Sequence, residues 1–272
     1  MPVDPQLRTL EIDIPTQPDA LVKLSLLMAE EDANLGDLAR LIETDMALAS
    51  AVLRAVNSSL YGVSGRVQSV QQAVTFLGMR EVAAITLEMG LRAVFPAAAE
   101  LEPIWQRAAL RGLIMGRLGQ VIDVDAWAAH SAGLFEECGK AVLFRHAQDH
   151  YRSMLRATAN DSALCELEIA AFGVSHDALG AALCESWGLN AAAVVCVRHH
   201  VAAQAELLLP QTLSKRSVLA LSVLAHAMMH APETAELVVP GVAVQADLEA
   251  QLMLRGVRSV GEQLLAAQAR GG

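Results

Sequence analysis

The feature that most constrains the fold of this chain is the spacing of its apolar residues, which is helical almost throughout. The alternation of apolar and polar residues that predicts half-buried strands is almost absent. Asp45 and the pair Ser69 and Gln72 are placed to cap helices, and Gly78 is placed to end one in a left-handed conformation. The N-terminal apolar stripes cover residues 21–28, 35–42, 48–56 and 73–77. The pattern therefore predicts an all-α chain that begins with a bundle of short helices.

Proline marks the expected divisions of the chain. Two proline-containing steps, Phe95-Pro96 and Glu102-Pro103, interrupt the helical pattern and predict a subdomain boundary near residues 96–103. We expect an N-terminal helical subdomain over residues 1–100 and a second over 101–210. Residues 211–272 are expected to hold two helices, at 218–230 and 248–269, separated by a region over 232–244 that is richer in Pro, Gly and Val. These helices either pack back on the domain or contact a partner.

Composition excludes several classes of function. The chain is 54% hydrophobic with a mean hydropathy of +0.37, yet its longest apolar run, 191–197, is far too short to span a bilayer. No signal peptide is visible in the first 15 residues, so a cytoplasmic protein is expected. The net charge of −10 repels phosphate backbones and argues against nucleic-acid binding. None of the four cysteines forms a CxxC pair, which favours reduced thiols in helix cores.

Histidines and paired glutamates are the first candidates for chemistry. His176 follows Ser175, a good N-cap, and His199 and His200 follow an apolar helix whose C-terminal dipole favours them. The competing interpretation is a metal site, which needs further ligands from other helices. The adjacent residues Glu136 and Glu137 would point about 100° apart on a helix, so they could act as an acid–base pair only in an irregular turn. A solvated acidic turn is the preferred interpretation.

The segment from Asn57 to Gly62 reads as a tight connection after a helix. Asn, Ser and Gly are typical of such turns, and Asn57 is predicted to hydrogen-bond the backbone groups that close it. Ser58 lacks a G-x-S-x-G elbow and a positioned histidine, which argues against a serine nucleophile.

These segments resemble the HDOD domain family. Residues 53–62, with Asn57, Ser58, Tyr61 and Gly62, are similar to its N-terminal signature, as are residues 67–74 and 76–78 with Gly78. Further residues follow in the family's order, and the resemblance covers about residues 12–205: Trp105, 132–134, Gly139, Lys140, Phe172, Gly173, His176, Gly180, Trp187, His199 and His200.

The resemblance implies an HD-like helical bundle with an N-terminal helical subdomain, degenerate with respect to HD and HD-GYP phosphohydrolases. Residues 105–108 read Trp-Gln-Arg-Ala where catalytic relatives carry a helical histidine. Glu136 and Glu137 stand where those relatives carry the His-Asp pair, whereas His176, His199 and His200 match ligand positions. The altered ligands imply no bound metal, no cofactor and no catalysis, with these five residues as remnants of an ancestral site.

The function implied by the resemblance is that of an interaction module in bacterial signal transduction. Its expected partners are two-component proteins, cyclic-di-GMP enzymes or a second copy of the chain. No catalytic domain is appended, so separate partners are expected. The alternative is a metal-dependent phosphohydrolase acting on a nucleotide or cyclic dinucleotide through Glu136, Glu137, His176, His199 and His200. A third reading is nucleotide sensing without hydrolysis.

Overall fold

The structure, a computed structural model, describes residues 12–30, 32–58 and 67–271. These residues form helices joined by short connections, and none of them lies in a strand, which confirms the all-α prediction. The chain divides into two compact units. The small unit contains residues 16–94 and 261–272, and the large unit contains residues up to Pro15 together with residues 95–260.

The small unit is a bundle of short amphipathic helices. Leu21, Leu24, Leu38, Ile42 and Val52 are fully buried in its core, and they belong to the apolar stripes seen in the sequence. The helices are α1 (Asp19–Ala29), α2 (Leu35–Glu43), α3 (Met46–Val56), α4 (Val70–Leu77) and α5 (Met79–Ala93).

Side chains cap these helices much as the sequence predicts. Asp45 accepts hydrogen bonds from the amides of Ala47 and Leu48 at the start of α3. At α4 the Ser69 hydroxyl accepts from the Gln72 amide at 3.1 Å. Gln72 accepts from the amide of Gln68 at 2.8 Å instead of completing the predicted reciprocal box with Ser69.

Gly78 separates α4 from α5 and has a φ of +85° and a ψ of 164°. This conformation is accessible essentially only to glycine, because a side chain would clash with the backbone. It allows α5 to begin at Met79, directly after α4 has ended.

Asn57 joins the end of α3 to a point ten residues further along the chain. Its Nδ2 donates to the carbonyls of Leu53 at 3.0 Å and Val67 at 2.8 Å, and its Oδ1 accepts from the Val67 amide at 3.2 Å. Ser58 is exposed. Tyr61 and Gly62 lie outside the described residues. The backbone groups that Asn57 binds therefore flank the predicted turn.

The large unit packs longer helices around its functional residues. The helices are α6 (Glu102–Ile122), α7 (Ala126–Phe135), α8 (Cys138–His146), α9 (Gln148–Ala157), α10 (Asp161–Phe172), α11 (His176–Ser186), α12 (Ala191–Glu206), α13 (Ser217–His230), α14 (Ala235–Ala246) and α15 (Ala250–Gly271), the last of which continues into the small unit's residues. Helices α7 and α13 contact each other, and both contact α6 and α12. Helix α11 packs on both α8 and α12.

The pairing of α8 with α11 depends on a close backbone approach at Gly139. A Cβ atom added there would lie 1.9 Å from the carbonyl oxygen of His176. Only glycine lets these helices approach to this distance, and the approach places His176 beside the Glu136–Glu137 turn.

Residues 232–244, predicted to separate two helices, instead form a short 3-10 turn, Pro232–Thr234, and most of α14. That expectation was wrong because it relied on the content of Pro, Gly and Val in this region. Pro240 lies inside α14 and removes one backbone hydrogen bond. Val239, Val242 and Ala243 are buried against the unit, and this burial outweighs the missing bond.

Trp187 ties the start of the large unit to its helices. The indole is buried and stands edge-on to Phe135, with ring centroids 5.6 Å apart. Its Nε1 donates to the carbonyl of Pro15 at 2.8 Å. Trp187 is therefore a packing residue.

The described helices use their apolar residues mainly in these two cores. None of them alone is long and apolar enough to cross a bilayer, and α10 and α11 meet that criterion only as a pair bent by 79°.

Candidate functional site

Glu136 and Glu137 form the turn between α7 and α8, and both are buried, with exposed fractions of 0% and 1%. The predicted solvated acidic turn is therefore wrong. Two arginines on α6, Arg107 and Arg111, reach these carboxylates across the unit and stabilise their charge. Such pairing is what allows a carboxylate to remain ionised in an apolar interior.

Three cations surround Glu137. Its Oε1 accepts hydrogen bonds from Arg107 Nε at 3.0 Å and Arg111 NH1 at 2.9 Å, and its Oε2 accepts from Lys140 Nζ at 2.9 Å. Burial alone would raise the pKa of Glu137. The charges of Lys140 and Arg111, with the hydrogen bond from Arg107, outweigh burial and hold that pKa well below its ordinary value.

Glu136 shares Arg111 with its neighbour. Arg111 Nε lies 3.0 Å from Glu136 Oε2, but its N–H does not point closely enough at the oxygen for a hydrogen bond, so the contact is electrostatic. Gln204 Nε2 donates to the same oxygen at 2.9 Å. Arg111, itself 3% exposed, thus bridges two buried carboxylates. Burial lowers the pKa of its guanidinium, but the charges of the two glutamates raise that pKa by a larger amount. The net shift is upward, so the guanidinium stays charged.

Lys140 extends the network to Asp161, the first residue of α10. Its Nζ lies 2.7 Å from Asp161 Oδ1. Burial raises the pKa of Asp161, but the charge of Lys140 is the largest cause that lowers it, and the net shift is downward. Sequence reasoning missed Asp161, because the Asn160-Asp161 pair resembles an ordinary helix start.

His176 is held by Glu168, a second carboxylate that sequence reasoning missed. Glu168 is fully buried and accepts hydrogen bonds from the His176 backbone amide at 2.7 Å and from its Nδ1 at 2.8 Å. The hydroxyl of Tyr151 also donates to Glu168. Burial, together with the Glu168 charge, raises the pKa of Tyr151 well above its ordinary value, so Tyr151 remains a donor.

His176 and His200 lie together, with ring centroids 5.8 Å apart. His200 Nδ1 donates to the carbonyl of Val197 at 2.7 Å, since a carbonyl can only accept. Burial, the largest cause, lowers the pKa of His200, which favours its neutral form. On both rings Nε2 is buried without a hydrogen-bond partner among the described residues.

His199 does not join this pair. It is half-buried on the neighbouring face of α12, about 100° around the helix from His200. The expectation that both histidines end a helix was also wrong, because α12 continues to Glu206. Burial and the nearby Arg198 charge lower the pKa of His199.

A cleft of about 680 Å³ opens beside the ion-pair network. Arg107, Lys140 and Asp161 line it, and His226 and His230 of α13 do so as well. Burial and the charge of His230 lower the pKa of His226 to about 4, so this imidazole is neutral at physiological pH. The cleft therefore has polar walls in which the charged groups are paired with one another.

Four of the five candidate residues thus form two groups, and His199 belongs to neither. Glu136 and Glu137 are bound by protein cations, whereas His176 and His200 keep free nitrogens. Four residues were missed by sequence reasoning. Arg111 and Gln204 lie 26 and 68 positions from their glutamate partners, Asp161 begins α10, and Glu168 lies eight positions from His176 on a different helix. No local sequence pattern joins them.

Comparison with known proteins identifies the family to which this sequence is similar. A sequence profile of the HDOD domain matches residues 14–203. An uncharacterized protein of Treponema pallidum (strain Nichols) is 26% identical over 192 residues, which cover 69% of this chain and 37% of that protein. The chain therefore spans less than half the length of this curated relative.

Solved structures share the fold. A candidate signal transduction protein from Marinobacter aquaeolei VT8 is 21% identical with a TM-score of 0.72, over 96% of this chain and 60% of its own. An HDOD domain protein of unknown function from Geobacter sulfurreducens is 18% identical with a TM-score of 0.66, and the match covers 97% of this chain and 93% of that protein. A candidate phosphohydrolase from Shewanella amazonensis SB2B is 15% identical with a TM-score of 0.68, and the match covers 98% of this chain and 97% of that protein.

Proposed function

Because the chain belongs to the HDOD domain family, we propose that it is a non-catalytic signal-transduction module that acts by binding other proteins. The observation that carries this proposal is the ion-pair network around Glu136 and Glu137. Metal-assisted phosphate cleavage requires ligand atoms that can bind cations and neutralise charge on the transferred group. Here the protein's own cations already bind both carboxylates.

Arg111 is the central obstacle to a metal at these glutamates. Its guanidinium contacts Glu136 at 3.0 Å and Glu137 at 2.9 Å. A divalent ion bound to either carboxylate would have to displace this group or remain within a few ångströms of its permanent charge. A metal at the Glu136–Glu137 turn therefore does not fit the residues present.

A turnover assay tests the absence of catalysis. The purified chain would be incubated with cyclic dinucleotides and with simple phosphate mono- and diesters, in the presence of manganese, iron or magnesium. We expect no turnover above the protein-free control. Metal-dependent turnover that disappears in a folded His200→Ala variant would overturn the proposal, because a contaminating enzyme would not respond to that substitution.

Exposed apolar side chains of the small unit support the interaction part of the proposal. Leu26, Met46 and Phe76 are 62%, 79% and 65% exposed. We propose as partners two-component proteins, cyclic-di-GMP enzymes or a second copy of the chain.

A two-hybrid screen against the receiver, GGDEF and EAL proteins of the host tests this part. We expect at least one partner whose binding is lost in a Met46→Ser, Phe76→Ser variant. The matched control is Leu237→Ser, which alters an equally exposed leucine of the large unit. Binding that survives the double substitution would exclude a role for these two side chains, and an empty screen would contradict the choice of partners.

The alternative function is a metal-dependent phosphohydrolase. The cleft and the retained Asp161, His176 and His200 favour it, since they leave potential ligand atoms near a space for a substrate. The turnover assay above separates the two functions directly.

A further inference from the structure

A group of potential metal ligands lies next to the ion-pair network. Asp161, His176 and His200 each bring one ligand atom, and these atoms lie within 4.8 Å of one another. They come from the starts of α10 and α11 and from the middle of α12. We infer that Asp161, His176 and His200 bind a single divalent transition-metal ion, in a role that does not require catalysis.

The hydrogen bonds of the two imidazoles identify the nitrogen that would bind the ion. Nδ1 of His176 contacts the Glu168 carboxylate, and Nδ1 of His200 contacts the Val197 carbonyl. Both partners accept, so each ring carries its proton on Nδ1 and leaves a lone pair on Nε2. Metal-binding histidines typically donate their second nitrogen to a carboxylate or a backbone carbonyl in this way.

The unbonded nitrogens are the independent observation that points to a ligand. His176 and His200 are 0% and 1% exposed, and Nε2 of each ring has no hydrogen-bond partner among the described residues. Buried polar atoms are normally satisfied, and those that are not call for an explanation such as an ion. Placing the proton of His176 on Nε2 would not help, because it would create a buried donor with no acceptor.

The charges also suit a dication. Glu168 is fully buried, and its described hydrogen-bond donors are the Tyr151 hydroxyl and groups of His176. Asp161 adds a second negative charge, and Lys140 contacts the Oδ1 atom of this side chain. A divalent ion between the two imidazoles would compensate the buried Glu168 charge through His176.

The donor set selects the kind of ion. Two imidazoles and one carboxylate suit zinc or ferrous iron better than magnesium or calcium, which prefer oxygen ligands. Ligand atoms on one tetrahedral zinc ion are roughly 3–3.5 Å apart, so the ligand atoms would need to move closer to one another by up to about 1.8 Å. Side-chain rotations can supply this movement.

A second group, Cys165, Glu168 and His176, also has ligand atoms within 4.8 Å of one another. It is less suitable because it would use His176 Nδ1, which already binds Glu168, and would leave both Nε2 atoms unexplained. A substitution of Cys165 therefore distinguishes which of the two groups binds the ion.

The test is calorimetric titration of chelator-treated protein with zinc alone and with magnesium alone. We expect one zinc ion per chain, with much weaker magnesium binding. Asp161→Asn and His200→Ala should each weaken zinc binding more than about 100-fold, and Glu168→Gln should weaken it about 10- to 100-fold. His199→Ala is the matched control, since it removes the neighbouring imidazole outside the group, and it should leave zinc binding unchanged, as should Cys165→Ala.

The folding of each variant would be checked by circular dichroism in the absence of metal. Asp161→Asn keeps the test decisive if His200→Ala fails to fold, because Asp161 is partly exposed and the substitution is isosteric. Failure of the wild-type chain to bind zinc, or binding that is unaffected by Asp161→Asn, would overturn the inference. Loss of binding in Cys165→Ala would do so as well, and magnesium binding as tight as that of zinc would contradict the imidazole ligands. None of these outcomes depends on catalysis or on a protein partner, so the proposed function is tested separately.

Discussion

Replacing Arg111 by methionine removes the guanidinium that bridges two buried carboxylates and keeps much of the apolar volume of the side chain. In this variant Glu137 retains two other cations, whereas the described hydrogen-bond partners of Glu136 are neutral: the amide of Gln204 and the thiol of Cys196. Removing one partner of a buried ion pair leaves an uncompensated charge, which costs about 3–5 kcal/mol of unfolding free energy. We expect a loss of that size at neutral pH.

The dependence of this loss on pH has a defined sign. In the wild-type chain the pKa of Glu137 is lowered, so its contribution to stability is present above the ordinary glutamate pKa and disappears as pH falls through the folded value. The charge of Arg111 is one cause of that lowering, so Arg111→Met loses part of this contribution. The difference in stability between wild type and variant should therefore shrink as pH falls below 4.5, the ordinary glutamate pKa, towards the folded pKa of Glu137.

Urea denaturation at neutral pH and at about pH 3.5 measures the effect. The matched control is Arg258→Met, which removes an exposed arginine paired with Glu236 and should change stability too little to resolve. Adding Glu136→Gln to Arg111→Met should restore part of the loss, because it removes the unpaired charge. The reasoning fails if Arg111→Met is no more destabilising than Arg258→Met, or if its deficit grows on acidification.

Two further substitutions test local packing, one in each unit. Asn57→Ala removes three hydrogen bonds, two of them to Val67, and should lower the free energy of unfolding by about 1–3 kcal/mol; an unchanged melting temperature would show that these bonds are not needed. Gly139→Ala would place a Cβ atom 1.9 Å from the His176 carbonyl and should destabilise by at least about 1–3 kcal/mol in urea denaturation. Gly241→Ala is its control, since open space surrounds that helical glycine and alanine should stabilise it by about 0.5–1 kcal/mol; equal effects at the two glycines would contradict the close approach.

Local signals in the sequence predicted much of the small unit. The stripes of α1 to α4 repeat within one or two helical turns, and Asp45 caps α3 through amides two and three residues away. Interactions this short are visible in a linear sequence. The same reasoning failed at α14, where Pro240 is a local helix breaker but long-range burial of the helix prevails.

For the candidate site, the sequence predicted some of the residues but not the contacts between them. The motif order placed His176 and His200 among the candidates, but the sequence contains no sign that Glu168 would hold one ring or that Asp161 would join both.

The sequence alone determined that the chain is helical, where several of its helices lie, and which family it resembles, because periodicity, capping and motif order act over short distances along the chain. Only the tertiary structure decided that Glu136 and Glu137 are buried, since their neutralisation by Arg111 depends on contacts between residues 25 and 26 positions apart. It also decided that His200 and not His199 faces His176. Adjacent residues diverge by about 100° on a helix, and the packing of α12 selects which one points inward.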